Sequence, residues 1–306
     1  MVQKNSINKK ILIICGPTAS GKTSLSIECA KLLNSEVISA DSMNVYTDLD
    51  IGTAKPTEEE KMNVKHHLID VCDRFSTFSV GVYKELAKPI IDDLIKNGKV
   101  PVICGGTGFY INSLIYNLSY GESTGNLEVR EYYKSLADEQ GNEYVYKILQ
   151  EKDPITAEKL HYNDLKRVIR ALEICHSGTL KSDIKDDYTP VYDYDAYMIN
   201  MDRETLYDRI NKRVDIMIEM GLVDEVKRLV DSGVSIENQC MQGIGYKEIY
   251  AYLKGEISLA EAIDLIKLNT RHYAKRQITF FKKLPNLKYI EYTSPEQMAK
   301  RIVDSL

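Results

Sequence analysis

The apolar run Ile11-Leu12-Ile13-Ile14-Cys15 opens the patterned part of the chain and reads as a buried strand. Leu25, Ile27, Ala30, Leu32 and Leu33 follow at helical spacing among polar residues. Glu36 to Asp41 is a short strand ending in a carboxylate, and His67 to Val71 reads as a third strand. Ser79 can cap a helix that runs to about Asn97 and stops at Gly98. Val100 to Cys104 is a fourth strand, ending at Gly105-Gly106-Thr107-Gly108, and an apolar helix continues to about Leu118. This alternation predicts an α/β fold: a parallel sheet with helices on both faces. Ligands of such sheets sit at the carboxyl ends of the strands, so the ends at Cys15, Asp41 and Gly106-Thr107 are expected to converge.

The pattern then changes. Residues 119–195 are polar, Tyr-rich and mostly helical, with no buried parallel strand. Asp153-Pro154 starts one helix. Asn163 or Asp164 caps another, Leu165 to Ser177, ended by Gly178. Its Leu165, Val168, Ile169 and Leu172 share one face, with Lys166, Arg167 and Arg170 on the other, a face that suits either solvent or an RNA. Lys181 to Pro190 reads as a charged, mobile loop. The sheet resumes at Ala196 to Asn200. The chain therefore divides into a core domain, 1–118 with 196–306, and an inserted helical domain, 119–195.

In the helix after Asp202, Leu206, Ile210, Val214 and Met217 form the buried stripe. Arg209 and Arg213 flank it on one side, four residues apart. Two guanidiniums held beside a core suit a diphosphate; pairing with neighbouring acids is the alternative. Ser258 to Glu261 is a capping box that opens a long helix to about Lys283. Arg271, Lys275 and Lys282 share a face of its acid-free distal half, a candidate for a phosphate backbone. Lys288 to Tyr292 is a last strand, and Ser294 opens a terminal helix.

Between the first strand and first helix lies Gly16-Pro17-Thr18-Ala19-Ser20-Gly21-Lys22-Thr23, a G-x-x-x-x-G-K-[ST] phosphate loop in strand–loop–helix context. Gly16 and Gly21 let backbone N–H groups turn inward around phosphate oxygens, and the helix points its positive end at the same place. Lys22 adds a point charge and Thr23 a hydroxyl for Mg²⁺. The loop alone fits a nucleoside triphosphate or a pyrophosphate ester. With 306 residues, 43% apolar, and a net charge of −5, the chain carries no global basic field, so any RNA site must be a local stripe. None of its six cysteines forms a C-x-x-C pair; they read as buried free thiols of a reducing compartment. Met1 to Lys10 is polar and basic without a targeting h-region, and no run reaches membrane-spanning length. A cytoplasmic protein without a membrane partner is expected, and no protein partner is implied, so a monomer.

These residues carry a family resemblance. GPTASGKT (16–23), ISADSMNVYTDLDIGTAKP (38–56), HHLIDV (66–71), GGTGFYINSL (105–114), LKRVIRALE (165–173), LYDRINKRVDIMIEMGLVDEV (206–226), QGIGYKE (242–248) and TRHYAKRQITFF (270–281) occur in order. As a set they resemble the tRNA dimethylallyltransferases, also called tRNA isopentenyltransferases. Cys15, Arg74, Tyr162 and Asp164-Leu165 depart from the usual pattern. The resemblance implies transfer of the dimethylallyl group from dimethylallyl diphosphate to the N6 amine of the adenosine 3′ to the anticodon, with Mg²⁺ and release of diphosphate. It implies Asp41, Thr107 and Arg213 as catalytic groups, and Gly16 to Thr23 with Arg209 and Arg213 as the diphosphate site. It also implies contacts to the tRNA anticodon stem-loop from Asp41, Ser42, Met43, Asn44, Thr107, Arg130, Lys166, Arg167, Val168, Ile169, Arg170, Gln242, Gly243, Ile244, Gly245, Tyr246 and Lys247. Arg271 and Lys275 of the basic stripe join this set. The target base would have to flip out of its stack. Two other readings share the loop: a prenyltransferase acting on free adenine nucleotides, and a phosphate-loop kinase or NTPase.

Overall fold

The computed structural model describes residues 10–118 and 126–306. The basic stretch before Lys10 and the first residues of the expected insertion lie outside them. Contacts divide the chain into two compact units, one formed by residues up to Ile115 with Pro190–Leu306, the other by Tyr116–Thr189.

The first unit is built on six strands: β1 (Lys10–Cys15), β2 (Val37–Ser39), β3 (His66–His67), β4 (Val102–Gly105), β7 (Asp193–Asn200) and β8 (Leu287–Glu291). They lie in the order β3-β2-β4-β1-β7-β8, and every pairing is parallel. Leu12 and Ile14 pack on one face with Leu25 and Ile27 of the helix Lys22–Leu32 and Met298 and Ile302 of the helix Pro295–Val303. Ile11 and Ile13 are equally buried and, one residue out of phase, take the other face. Both faces are covered, which is why β1 reads as a continuous apolar run. Because β4 lies between β1 and β2, the phosphate loop, Asp41 and Thr107 emerge side by side.

Several expected boundaries move. The third strand ends after His67, because Leu68 and Asp70 take left-handed backbone angles (φ 60° and 54°) that no ladder accommodates. The second strand shrinks to three residues, although the Ala40 amide still bonds the Cys104 carbonyl at 2.7 Å. The helix after Thr107 stops at Ile115, and Tyr116–Asn117 (β5) joins Asp187–Pro190 (β6) in a small two-stranded sheet. That pairing orders part of what reads from sequence as a mobile loop. The returning strand β7 starts at Asp193 rather than Ala196, since Lys10 and Ile11 pair with Asp193 and Tyr194. The long helix runs Leu259–Phe281.

The second unit packs the helices Leu127–Gln140, Asn142–Lys152 and Leu165–His176 around Val145, Leu149, Val168 and Leu172. Its Asp153 is fully buried and caps the short helix Pro154–Ala157. The Asp153 carboxylate accepts the Thr156 and Ser182 amides at 3.1 and 3.0 Å. The six cysteines are free, five of them buried. Among the described residues no helix is long and apolar enough to cross a membrane.

Candidate active site

The loop between β1 and the helix Lys22–Leu32 turns through Gly16 (φ 131°), Ala19 (φ 62°) and Gly21 (φ 94°). Ala19 is the one non-glycine of the three, a local strain of the kind found at ligand sites. The loop is pinned from outside. The Thr18 amide donates to Gln277 Oε1 at 2.9 Å, and Gln277 Nε2 donates to the Gly106 carbonyl at 3.0 Å. A Cβ on Gly106 would lie 2.0 Å from Gln277 Nε2, so any side chain there would displace the Gln277 amide from this position. Lys22 Nζ donates to the Pro17 carbonyl at 3.0 Å. Burial lowers the pKa of its ammonium, so a neighbouring anion would restore what desolvation removes.

Asp41 leaves the end of β2 and caps its own turn, with Oδ1 accepting the Met43 amide at 2.9 Å and the Asn44 amide at 3.4 Å. Its Oδ2 forms no hydrogen bond among the described residues. Thr107 Oγ1 accepts the Ser42 amide at 3.0 Å, and its own amide donates to the Ala40 carbonyl at 3.0 Å. Thr107 therefore locks the Asp41–Asn44 turn to the end of β4. A structural cap at Asp41 is present, and it uses one carboxylate oxygen.

Arg209 and Arg213 are half-buried beside Ile210 and Val214, as the helical spacing requires. Neither forms an ion pair among the described residues, so pairing with acids does not account for them. Arg209 donates from Nε to the Ala19 carbonyl at 2.8 Å and from Nη1 to Tyr292 Oη at 2.8 Å, and stacks on the Tyr292 ring. Arg213 faces open space. Burial, then the charge of Arg209, lowers its pKa. Three adjoining cavities of about 350, 510 and 60 Å³ share Lys22, Ala54 and Arg213 in their walls. The first also contains Asp41, Ser42 and Met43, an apolar wall of Ile210, Val214, Met217 and Ile266, and the whole Gln242–Lys247 segment. The second adds Thr23 and Arg209, and the third holds Thr23, Asp41, Asn44 and His66.

The expected RNA residues fall into distinct settings. Lys166 and Arg167 are exposed on the helical unit, while Val168 and Ile169 are withdrawn into its core and present no side chain to a ligand. Arg130 and Arg170 both reach the buried Glu173, at 3.1 and 3.2 Å, so each has a structural partner as well as charge. Arg271 donates to Asn211 Oδ1 at 2.7 Å. Lys275 and Lys282 line a cavity of about 400 Å³ with Arg203.

Four residues here escape the sequence reading. Gln277 continues the buried stripe Ala262, Ile266, Ala274 and Phe281 of its helix, and a polar residue on that stripe was its signal. Glu225, 2% exposed, accepts the amides of Asp50, Ile51 and Gly52 and the Tyr246 hydroxyl, fixing the 50–54 segment of the cavity wall. Tyr273 lines the first cavity, where burial pushes its phenol up to about 12. His66 is the fourth.

Mg²⁺ is implied by the loop, and the residues fit it. Among the described residues no three His, Cys, Asp or Glu side chains form a metal cage. Thr23 nevertheless offers a hydroxyl oxygen, and Asn44 Oδ1 and His66 Nε2, in walls of the same small cavity, are buried acceptors with no hydrogen-bond partner among the described residues. Few protein ligands beside a phosphate site is the pattern of Mg²⁺, which keeps waters and shares the substrate's oxygens.

The sheet and the loop, with Lys22, Arg213 and Asp41 sharing cavity walls, define a phosphate-loop α/β protein. Within that class the assignment is specific. The chain belongs to the IPP transferase family, whose model matches residues 44–284. It is 50% identical over 299 residues to a tRNA dimethylallyltransferase of Acetivibrio thermocellus, covering 95% of this chain and 96% of the other. The crystal structure of the full-length tRNA isopentenylpyrophosphate transferase of Bacillus halodurans superposes with a TM-score of 0.73 at 40% identity, covering 97% of this chain and 96% of that one. A eukaryotic dimethylallyltransferase acting on tRNA gives a TM-score of 0.83 at 29% identity, covering 97% of this chain and 77% of that one.

Proposed function

We propose that this protein transfers the dimethylallyl group of dimethylallyl diphosphate to the N6 amine of an adenosine 3′ to the anticodon of tRNA. The observation that carries the reading is the shared wall of the first cavity, in which Lys22, Arg213 and Asp41 occur together with the apolar Ile210, Val214, Met217 and Ile266 and with the Gln242–Lys247 segment. A short diphosphate with a branched hydrocarbon tail matches that division of charge and apolar surface.

The amine nitrogen attacks C1 of the dimethylallyl group as the C1–O bond breaks, and the electron pair of that bond leaves with the diphosphate. The amine proton passes to Asp41, whose unbonded Oδ2 is the acceptor. Lys22 and Arg213 neutralise the charge that grows on the leaving group. Thr107 holds the turn that carries Asp41. Thr23, together with the diphosphate, would hold Mg²⁺, which when bound adds positive charge at the leaving group. Ser42, Met43 and the Gln242–Lys247 segment, which line the first cavity, would surround the flipped base. Lys166, Arg167, Lys275 and Lys282 supply positive charge for RNA phosphates, in a cytoplasmic enzyme that works without a protein partner.

The test is incubation with labelled dimethylallyl diphosphate and bulk unmodified tRNA, with AMP and ATP as rival acceptors. Label in tRNA but not in AMP or ATP supports the reading. Label in AMP moves the protein to the free-nucleotide class, and RNA-stimulated ATP hydrolysis without prenyl transfer makes it an NTPase.

A further inference from the structure

The cavity of about 60 Å³ behind the phosphate loop has two acceptors that the transfer reaction does not use. His66 Nδ1 lies 2.8 Å from the Val64 carbonyl. A carbonyl only accepts, so Nδ1 carries the proton and Nε2 of the neutral ring presents a lone pair. Burial favours that neutral ring by lowering its pKa. Nε2 is buried and has no hydrogen-bond partner among the described residues, and the same is true of Asn44 Oδ1. His66 and Asn44 arrive from different segments, the end of the sheet at β3 and the turn after β2, yet both line the space that Thr23 and Asp41 line.

A buried acceptor left without a donor costs about 1–3 kcal/mol. What can satisfy these two must donate. A diphosphate oxygen cannot, and among the described residues none of the donors in the same cavity wall, Lys22, Thr23 and Arg213 included, bonds either atom. Water can, and the cavity has room for it. Water bound to a divalent cation is a stronger donor than free water, because the ion drains charge from its O–H bonds. Mg²⁺ keeps several of its waters when it sits on a substrate phosphate.

We infer that His66 Nε2 and Asn44 Oδ1 form an outer-sphere cradle that accepts hydrogen bonds from the water shell of a divalent cation held at Thr23 and the diphosphate. His66 is then a positioning residue, touching neither the prenyl donor nor the base. The inference rests on the diphosphate reading of the loop proposed above.

The experiment uses the full chain, Mn²⁺ as the metal and inorganic diphosphate as the ligand. Free Mn²⁺ is read by its EPR signal during titration. His66→Leu should weaken Mn²⁺ binding in the presence of diphosphate by roughly tenfold, the lower end of losses for outer-shell partners of metal sites. His66→Gln, which keeps an acceptor oxygen, should stay within about threefold of wild type, and metal-free diphosphate affinity should not move. A His66→Leu protein that binds Mn²⁺ like the wild type overturns the inference. A second measurement needs no variant. The chain has only five histidines, so the ¹⁵N resonance of His66 Nε2 can be followed directly. It should shift when Mg²⁺ and diphosphate are added together and not with diphosphate alone; an unmoved resonance overturns the inference as well. If the wild type binds no Mn²⁺ even with diphosphate, the metal falls out of the proposed reaction and the cradle with it. If the wild type binds and His66→Leu matches it, only the cradle falls.

Discussion

Gln277 and Thr18 are 259 residues apart and joined by one hydrogen bond of 2.9 Å, from the Thr18 amide to the glutamine oxygen. The other end of the same side chain holds the Gly106 carbonyl. One amide group therefore fixes the spacing between the phosphate loop and the end of β4, where Thr107 holds the Asp41 turn. Gln277→Ala should destabilise the fold by about 1–3 kcal/mol, since it leaves buried backbone groups unpaired. It should also lower turnover more than it raises KM for the diphosphate substrate. Gln277→Glu should be worse, because a carboxylate would face the Gly106 carbonyl and repel the ligand. Thermal melts with steady-state kinetics on both variants check this; a Gln277→Glu enzyme with wild-type turnover contradicts it.

The two oxygens of Asp41 separate a structural role from a chemical one. Asp41→Asn keeps an oxygen to accept the Met43 and Asn44 amides and should melt close to the wild type. It removes the base, so turnover should fall by roughly 10²–10⁴-fold. Asp41→Ala should lose that turnover and also lower the melting temperature through the lost cap. Turnover of Asp41→Asn within a few-fold of wild type removes Asp41 as the proton acceptor.

Arg209 and Arg213 look alike in sequence and differ in place. Arg209 is engaged by the Ala19 carbonyl and Tyr292, whereas Arg213 opens on all three cavities. Arg213→Ala should cut turnover by ~10²-fold or more, in the range for one lost donor at a developing charge. Arg209→Ala should act mainly on loop stability and on KM. Only Thr23→Ala should change the Mg²⁺ dependence, since a guanidinium cannot ligate a metal. Equal kinetic profiles for the two arginine variants would contradict the assignment.

How much of this was legible in the chain differs by residue. The run Ile11–Cys15, the loop after it and the capping boxes state local physics, and a local pattern is enough to read them. The flank positions of Arg209 and Arg213 follow from a 3.6-residue period. The early end of β3 does not follow, because apolar Leu68 and Ile69 read as strand while the backbone turns left-handed at Leu68. Gln277, Glu225 and His66 are not legible as site residues, because their partners lie 259, about 175 and, across the cavity, more than 20 positions away. Val168 and Ile169 show a different limit: a motif that resembles an RNA-binding helix contains buried core residues as well as exposed basic ones, and burial separates them.

Glu36 ties the strand that delivers Asp41 to its neighbours, bonding Lys99 at 2.9 Å and His67 at 2.6 Å. Burial pushes its carboxyl up, but the hydrogen bonds from Lys99 and His67 outweigh this and bring it from 4.5 down to about 2. A depressed carboxylate contributes stability above its unfolded value and loses it as pH falls. The contribution, at most about 3 kcal/mol, should be complete above pH ~4.5 and gone near pH ~2. Glu36→Gln should therefore be less stable than wild type at pH 7, and the two denaturation curves should merge at acid pH. A difference that persists unchanged at pH ~2 points to lost packing rather than lost charge.

The helical unit offers a sharper test of the acceptor than its charge alone suggests. Lys166 and Arg167 are exposed, and the pair Arg167–Asp164 at 3.2 Å is a surface interaction of little weight. Arg130 and Arg170 are different: both neutralise Glu173, whose side chain is 1% exposed, and removing one partner of a buried charge is costly. Reversing Lys166 and Arg167 together to Glu should leave the melting temperature nearly unchanged. It should raise KM for RNA and leave turnover at saturating RNA close to wild type. The salt dependence of binding should flatten by about one unit of slope for each RNA phosphate that is no longer neutralised. Arg170→Glu should weaken RNA use as well, but with a drop in the stability of the helical unit, because two carboxylates would then face one remaining guanidinium. Measured side by side, the two variants separate an RNA-binding charge from a structural ion pair. If the Lys166/Arg167 double variant keeps both the RNA affinity and the salt slope of the wild type, this basic face is only solvated, and the acceptor is held by the Gln242–Lys247 wall and the long helix.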